Sequence, residues 1–196
     1  VLFILSGVRF FDAFNLSFTV ASAGGFLQTE NLSDIIKNNF QTIILSITLL
    51  FSTFNIFLIF RLFSMKLKLK EHFEDFYLLI IIILFVLLLH LFFAPNENLV
   101  NILLMITSSI STSGINLHAS NLNLSLMLIL LTMVGGSVFS TSSGFKFLRI
   151  YVLFKSSLNE MYKLTKPINV FNRTLFKSDY KILDEDVKIS FLIFIF

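Results

Sequence analysis

Cysteine and tryptophan are absent from this chain of 196 residues, and charged residues are few. Without cysteine there is no disulfide framework, no thiolate metal site and no cysteine nucleophile. Charged residues make up 14% of the chain, whereas apolar residues make up 56%. Soluble domains carry about 25% charged residues. The composition therefore excludes an ordinary soluble domain and predicts an integral membrane protein.

Long apolar segments predict where the chain crosses the membrane. Segments 40–60 and 76–93 are long enough to span a hydrocarbon core about 30 Å thick. Segment 124–154 is also long enough, but Gly, Ser and Thr interrupt its middle. The last apolar run stops after less than half a crossing, and the chain does not begin with Met. We therefore expect a piece of a longer polytopic protein.

Two shorter apolar segments, 10–21 and 97–109, cannot cross a bilayer. A segment of that length is a buried helix, an interfacial helix or a re-entrant half-helix. Each of the two lies beside a full span and ends in a loop of Ser, Thr and Gly. That context favours the re-entrant interpretation.

Basic residues predict the orientation, because positively charged loops stay in the cytoplasm. They concentrate after the first span and after the interrupted span, so the two short segments and their Gly loops face outside. The long basic segment is either ordinary topogenic charge or a surface for a cytoplasmic partner. The residues concerned are Arg61, Lys66, Lys68 and Lys70, then Lys146, Arg149, Lys155, Lys163, Lys166, Arg173, Lys177, Lys181 and Lys188.

The two short segments end in similar loops, SAGGF at 22–26 and STSGI at 111–115. Irregular backbone at membrane depth is tolerated only where it is buried in protein or lines a wet cavity. Gly permits backbone angles that turn successive carbonyls to one side, and carbonyl oxygens can replace the water shell of an alkali cation. The pair favours pore loops over the alternative, in which small residues let helices pack closely.

The interruption of the third span is GGSVFSTSSGFK, residues 135–146. Gly in a helix interior costs about 1 kcal/mol relative to Ala, and Ser competes for backbone hydrogen bonds. We expect a break at mid-membrane where a gate can lie; the alternative is a kinked helix with a small-residue packing face. Lys146 either lies near the gate and repels cations or extends to the cytoplasmic interface.

Catalytic groupings are missing from the sequence. There is no convincing Ser-His-Asp set, carboxylate pair or phosphate-binding Gly loop, so we expect no enzyme and no bound cofactor. His90 and His118 lack partners at metal-ligand spacing.

Three motifs resemble those of the Trk/Ktr/HKT superfamily of cation transporters, in particular its Trk-type potassium-uptake membrane subunits. Residues 11–26 read FDAFNLSFTVASAGGF, where a family pore loop reads FDA…TTISTGGF. Residues 135–149 read GGSVFSTSSGFKFLR against the family's GG…GSTSGGIK…R, and residues 155–171 resemble the cytoplasmic stretch that follows. The resemblance covers nearly the whole chain.

The resemblance implies an all-α polytopic membrane protein. Four span–pore helix–span repeats would place re-entrant filter loops around one pseudo-fourfold pore. Residues 1–75 would end repeat two, with pore helix 10–21, filter 22–26, second span 40–62 and a cytoplasmic loop. Residues 76–188 would form repeat three, and residues 189–196 would begin repeat four. The parts of repeat three would be spans 76–94 and 124–155, pore helix 97–109, filter 110–116 and cytoplasmic segment 156–188.

The resemblance also implies the site residues. Ala23 stands where the family usually has Thr, which is a mild change, since a filter carbonyl survives it. Phe139 and Ser143 stand where it usually has Gly, and Phe139 is expected to stiffen or plug the gate. The implied filter residues are Ser22, Ala23, Gly24, Gly25, Ser111, Thr112, Ser113 and Gly114, and the implied gate residues are Gly135, Gly136, Ser140, Thr141, Ser142, Ser143, Gly144 and Lys146.

The function implied is potassium uptake across the cytoplasmic (inner) membrane by a multi-pass protein. The implied partners are the lipid bilayer, a second copy in a homodimer and a TrkA-type cytoplasmic nucleotide-binding regulatory subunit; no nucleic acid is involved. One alternative is a sodium-preferring or non-selective member of the same superfamily. The alternative from another class is a non-transporting membrane interaction protein with small-residue helix packing.

Overall fold

The computed structural model describes residues 1–29, 31–64, 72–93, 95, 97–117, 122–163 and 182–195. Every regular element in those ranges is a helix, so the predicted all-α class is confirmed. A 3₁₀ turn lies at Leu32–Asp34. In chain order the α-helices are α1 (Leu2–Leu5), α2 (Phe10–Ser22), α3 (Asn39–Thr53), α4 (Ile56–Phe63), α5 (Phe73–Leu88), α6 (Leu99–Ile110), α7 (Leu122–Val134), α8 (Phe147–Lys163) and α9 (Asp184–Ile195).

Helix α5 is the clearest candidate for a membrane span. It continues from Leu88 into a π-helical turn at Leu89–Phe93. Among the described residues, Phe73–Phe92 is the one continuous helix that is long and apolar enough to cross a bilayer, with a mean hydropathy of 2.7. Helices α3 and α4 meet the same criterion only when they are counted together as one bent span.

The segment expected as one span over 40–62 is broken in the structure. Helix α3 ends at Thr53, α4 begins at Ile56, and the two axes differ by 116°. Phe54 and Asn55 have extended backbone, and the Asn55 side chain accepts the N–H of Phe57 at 2.9 Å as the N-cap of α4. Polar residues before the break favour side-chain bonds to the backbone over a continuing helix.

The two short helices lie where the sequence suggested. Helix α2 covers 10–22 and α6 covers 99–110. Every residue of α6 from Leu104 to Ile110 is buried, and α6 contacts α3 on one side and α7 and α5 on others. Burial all round is typical of a helix enclosed by protein, so α6 is the central element of the fold.

Two apolar clusters hold the helices together, and α6 contributes to both. One cluster joins α5, α6, α7 and Phe147; the other joins α1, α2, α3 and Leu104 of α6. In the second cluster, Gln41 links the start of α3 to α1, because its Nε2 donates to the carbonyl of Ser6 at 3.1 Å. Its Oε1 accepts the N–H of Lys37 at 2.9 Å.

Two regions near the C-terminus complete the description. No α-helix covers 135–146, so the segment predicted to be interrupted is divided into α7 and α8. Helix α9 begins at Asp184, whereas the next repeat was expected to begin at 189. Most of the predicted cytoplasmic loops, 65–71 and 164–181, lie outside the described residues.

We expect Leu131→Ala to lower the free energy of unfolding by about 2 kcal/mol or more, because truncating a buried Leu leaves a cavity. Leu131 is 2% exposed, whereas its neighbour Leu130 is 58% exposed. Thermal denaturation of the detergent-solubilised protein measures the change. Leu130→Ala on the same helix is the matched control, and equal shifts for the two variants would contradict the assignment of the α7 core face.

Candidate functional site

The first Gly loop, residues 22–26, reverses the chain at the end of α2. Ser22 is the last helical residue, and Ala23 adopts left-handed backbone with φ 51°. The N–H of Gly24 then donates to the carbonyl of Thr19 at 3.2 Å, and the Thr19 hydroxyl donates to the carbonyl of Phe26 at 2.6 Å. Gly25 has φ 68°, a conformation that favours glycine.

The second Gly loop, residues 111–115, reverses the chain at the end of α6 in a similar way. Thr112 has φ 62° and Gly114 has φ 67°. The N–H of Ser113 donates to the carbonyl of Ser108 at 3.1 Å. Behind the loop the Ser113 hydroxyl lies 2.9 Å from that of Ser111. Ser111 is fully buried and Ser113 is 6% exposed, so these hydroxyls stabilise the turn from inside the protein.

The two Gly loops meet through their main chains. A Cβ atom placed on Gly25 would overlap the carbonyl oxygen of Ser113, so only glycine permits the contact. Within the described residues, no hydrogen bond reaches the carbonyl oxygens of Ala23, Gly24, Gly25, Thr112, Ser113 and Gly114. The structure therefore brings together two strips of backbone whose carbonyls are available to a ligand.

The segment 135–146, here called the intramembrane loop after its predicted position, closes on itself between α7 and α8. Gly135 has φ 67° and Gly144 has φ 88°. These two glycines lie against each other, since a Cβ on Gly135 would lie 3.2 Å from the Cα of Gly144. The N–H of Phe145 donates to the carbonyl of Met133 at 3.0 Å, and that of Phe147 to Gly136 at 3.0 Å.

Serine hydroxyls fill the interior of the intramembrane loop. The N–H of Gly136 donates to the Ser142 hydroxyl at 2.9 Å, which lies 2.8 Å from the Ser140 hydroxyl. The Ser140 hydroxyl donates to the carbonyl of Ser137 at 2.6 Å. A Cβ on Gly136 would overlap these hydroxyls and the carbonyl of Thr53, so the loop is closely packed here.

The intramembrane loop docks on the break between α3 and α4. The N–H of Ser137 donates to the carbonyl of Thr53 at 2.9 Å, and the N–H of Ile56 donates to the carbonyl of Phe139 at 3.1 Å. The Thr141 hydroxyl donates to the carbonyl of Ser52 at 3.2 Å. Both irregular segments thus satisfy backbone groups that a continuous helix would otherwise have paired.

Two carboxylates at the start of α5 support these same segments. Glu74 accepts the N–H of Val138 at 3.0 Å, and Asp75 accepts the N–H of Asn55 at 2.9 Å. Asp75 is also 3.5 Å from Nδ1 of His72. Sequence reasoning missed Glu74 and Asp75. Their position in the sequence could have indicated them, because adjacent acidic residues at the start of an apolar span are rare unless they have partners.

Lys146 folds back into the intramembrane loop rather than extending away from it. Its ammonium donates to the carbonyl oxygen and hydroxyl of Ser140, each at 3.2 Å, and to the carbonyl oxygen of Ser142. Its backbone is left-handed, with φ 70°, which is uncommon for a long side chain. The sequence allowed Lys146 either to lie near the loop or to extend to the cytoplasmic interface. The structure shows the position near the loop.

In the part of the chain that the structure describes, one hydrogen bond joins the second Gly loop to the intramembrane loop. The N–H of Ser143 donates to the Thr112 hydroxyl at 3.0 Å, and that hydroxyl donates to the carbonyl of Ser111 at 2.6 Å. Phe139, expected to stiffen or plug the loop, is 59% exposed and packs edge-on against Phe57 of α4, with 5.6 Å between ring centroids. Its ring thus anchors the loop to α4.

No protein-family model and no curated protein sequence matches the chain. Among solved structures, the crystal structure of the potassium transporter TrkH from Vibrio parahaemolyticus superposes with a TM-score of 0.82. The match covers 98% of this chain at 23% sequence identity. The chain has the TrkH fold. It spans 43% of the length of that TrkH chain.

The superposition confirms the predicted all-α fold class, because the chain has the helical fold of that transporter. Because the superposition covers nearly the whole chain, it includes the break between α3 and α4, both Gly loops and the intramembrane loop. The roles of the individual loop residues remain predictions from the sequence.

We expect Gly25→Ala to destabilise the protein more than Gly114→Ala. Both residues have positive φ, which costs an Ala roughly 1–2 kcal/mol, but a Cβ at Gly114 meets no atom within 4 Å whereas one at Gly25 overlaps Ser113. Thermal denaturation in detergent compares the two variants. Equal destabilisation would show that the contact between the Gly loops does not exist.

Glu74 provides a second test, on the intramembrane loop. Glu74→Ala leaves the N–H of Val138 without its acceptor, which costs about 1–3 kcal/mol when the group is shielded from water. Glu74→Gln keeps an acceptor oxygen and should retain most of that stability. Denaturation midpoints of both variants measure the difference, and a Gln variant as unstable as the Ala variant would oppose this role.

Proposed function

We propose that this chain forms part of a potassium-uptake pathway through the cytoplasmic membrane, with its two Gly loops as two walls of a selectivity filter. The observation that carries the proposal is the main-chain contact between Gly25 and Ser113, with unpaired carbonyls on both strips in the described structure. The TrkH fold supports it, because the matching crystal structure is that of a potassium transporter.

Carbonyl oxygens suit this function for a physical reason. They replace the hydration shell of an alkali cation without the full charge of a carboxylate, which would hold the ion too tightly for fast passage. The preceding helices α2 and α6 both end at the Gly loops. A helix C-terminus carries about half a negative charge, so both helices favour a cation at the loops.

The driving force requires no chemical step by this chain. One monovalent charge moving down the membrane potential gains about 2.3 kcal/mol per 100 mV. Inward movement of potassium therefore follows from the potential alone once a filter and a gate exist. Potassium is the transported ion in this proposal, not a bound cofactor.

We assign the gate to the intramembrane loop. Its contact with the second Gly loop through Ser143 and Thr112 supports this assignment, because it brings the loop next to the filter. The many glycines and serines at 135–144 permit a change of backbone conformation. Movement of the loop would then open or close the path below the filter.

The assembly we propose is a multi-pass protein of the cytoplasmic membrane that forms a homodimer and binds a TrkA-type nucleotide-binding regulatory subunit. This assembly rests on the resemblance of the sequence and on the TrkH fold. Because the chain spans 43% of the TrkH chain, the remaining filter walls would come from other parts of the full-length protein.

Flux through the full-length protein tests the function. Expression in a potassium-uptake-deficient cell should restore growth at low potassium and carry ⁸⁶Rb⁺ in preference to ²²Na⁺. A preference for ²²Na⁺ would instead support the sodium-transporting alternative, and no flux of either ion would overturn the transport proposal.

Gly114→Ala should reduce flux or selectivity while the protein still inserts, because a new side chain at φ 67° disturbs the carbonyls without a steric overlap. Gly7→Ala is the matched control. Gly7 has φ 86°, a Cβ there meets no atom within 4 Å, as at Gly114, and the residue lies outside both Gly loops. Altered helix association with unchanged flux in Gly114→Ala would favour a packing role for the loop.

A further inference from the structure

The position of the Lys146 ammonium is unusual for a membrane protein. Long basic side chains near helix ends normally extend toward the interface. Lys146 instead points back into the intramembrane loop and contacts three of its oxygen atoms. Its left-handed backbone, φ 70°, persists only where the surroundings determine it. We therefore infer that the ammonium has a specific role in the loop.

One of the three oxygens, the Ser140 hydroxyl, is oriented by hydrogen bonds within the loop as well as by the lysine. The Ser140 hydroxyl gives its hydrogen to the carbonyl of Ser137 at 2.6 Å, so its oxygen acts as an acceptor at its other contacts. The Ser142 hydroxyl, 2% exposed as a residue, lies between Ser140 and the N–H of Gly136. This chain of hydrogen bonds fixes the Ser140 hydroxyl, and the carbonyl oxygens of Ser140 and Ser142 meet it at the ammonium.

The chemistry of that point is the chemistry of an alkali cation site. Two carbonyl oxygens and one hydroxyl oxygen, without a carboxylate among them, are neutral hard donors of the kind that coordinate dehydrated monovalent cations. The ammonium carries the same charge as such a cation and binds the same oxygens. Ser143, next to Ser142, contacts Thr112 of the second Gly loop, so the site lies beside the proposed filter.

We propose that the oxygens of Ser140 and Ser142 form a monovalent cation site that the Lys146 ammonium occupies in the present conformation, and that potassium takes its place when the ammonium withdraws. This inference rests on the proposed function and adds to it a second ion site, inside the gate. Lys146 is then a competitor tethered to the protein, and the gate conducts when the ion displaces it.

Competition predicts how removal of the ammonium changes binding. If the ammonium fills the site for about 90% of the time, its removal raises the apparent affinity for potassium about tenfold. Lys146→Met removes the charge and keeps a long apolar stem. The variant should therefore gain a potassium-dependent stabilisation that the wild type lacks, and its ⁸⁶Rb⁺ flux should be higher at low external concentration.

The experiment measures the denaturation midpoint of the full-length protein in detergent, with KCl compared with choline chloride at equal ionic strength. Lys146→Met should show a larger KCl-dependent rise than wild type, and Lys146→Met combined with Ser140→Ala should lose that extra rise, since one of the three oxygens is gone. Lys155→Met, on α8, is the control for loss of a lysine and should behave as wild type.

The outcomes separate the two proposals. Absence of an added potassium effect in Lys146→Met would overturn the cation site, even if the wild type carries ⁸⁶Rb⁺. An added effect in a protein that carries no ⁸⁶Rb⁺ would support the site and refute the transport function. If Lys146→Met does not fold, Lys146→Arg provides the second variant. Its guanidinium keeps a cation in the loop, so no potassium-dependent rise beyond that of the wild type is expected, and a new rise would contradict occupancy by the side-chain cation.

Discussion

Irregular backbone in this protein is stabilised by other irregular backbone. The break at Phe54 and the intramembrane loop each contain peptide groups that no helix satisfies, and they pair with one another through Thr53, Ser137 and Ile56. A buried peptide group without a partner costs free energy comparable to a lost hydrogen bond, so each segment stabilises the other. The rest of the architecture follows from this mutual dependence, because it fixes α4 and the α7–α8 connection relative to α3.

Ionisable side chains form hydrogen bonds to the backbone groups that the break and the intramembrane loop do not pair with each other. Glu74 and Asp75 accept N–H groups from the loop and from the break, while the Lys146 ammonium donates to loop carbonyls. Each of these side chains therefore has a backbone partner of complementary polarity, which is the condition under which polar and charged groups are tolerated inside proteins. The start of α5 thus supports the loop from one side, and Lys146 supports it from within.

The sequence predicted those features that depend on local composition. Apolar length located α2, α6 and the span that contains α5, and the small residues of 22–26, 111–115 and 135–146 marked the irregular segments. The break after Thr53 was not predicted, because apolar residues continue on both sides of Ser52 and Thr53 and the whole run is long enough for one span. The bond from Glu74 to Val138 joins residues 64 positions apart, and no local pattern contains that information. Lys146 has a flexible side chain with two favourable positions, so only its observed contacts decide between them.

The contact between Gly25 and Ser113 has a consequence for how the two Gly loops can evolve. Because main chain touches main chain, the spacing between the loops does not depend on the size of any side chain. Side chains around the contact can therefore be exchanged without changing the distance between the two loops. The backbone path sets that distance, and Gly25 is the position at which a single methyl group would force the loops apart.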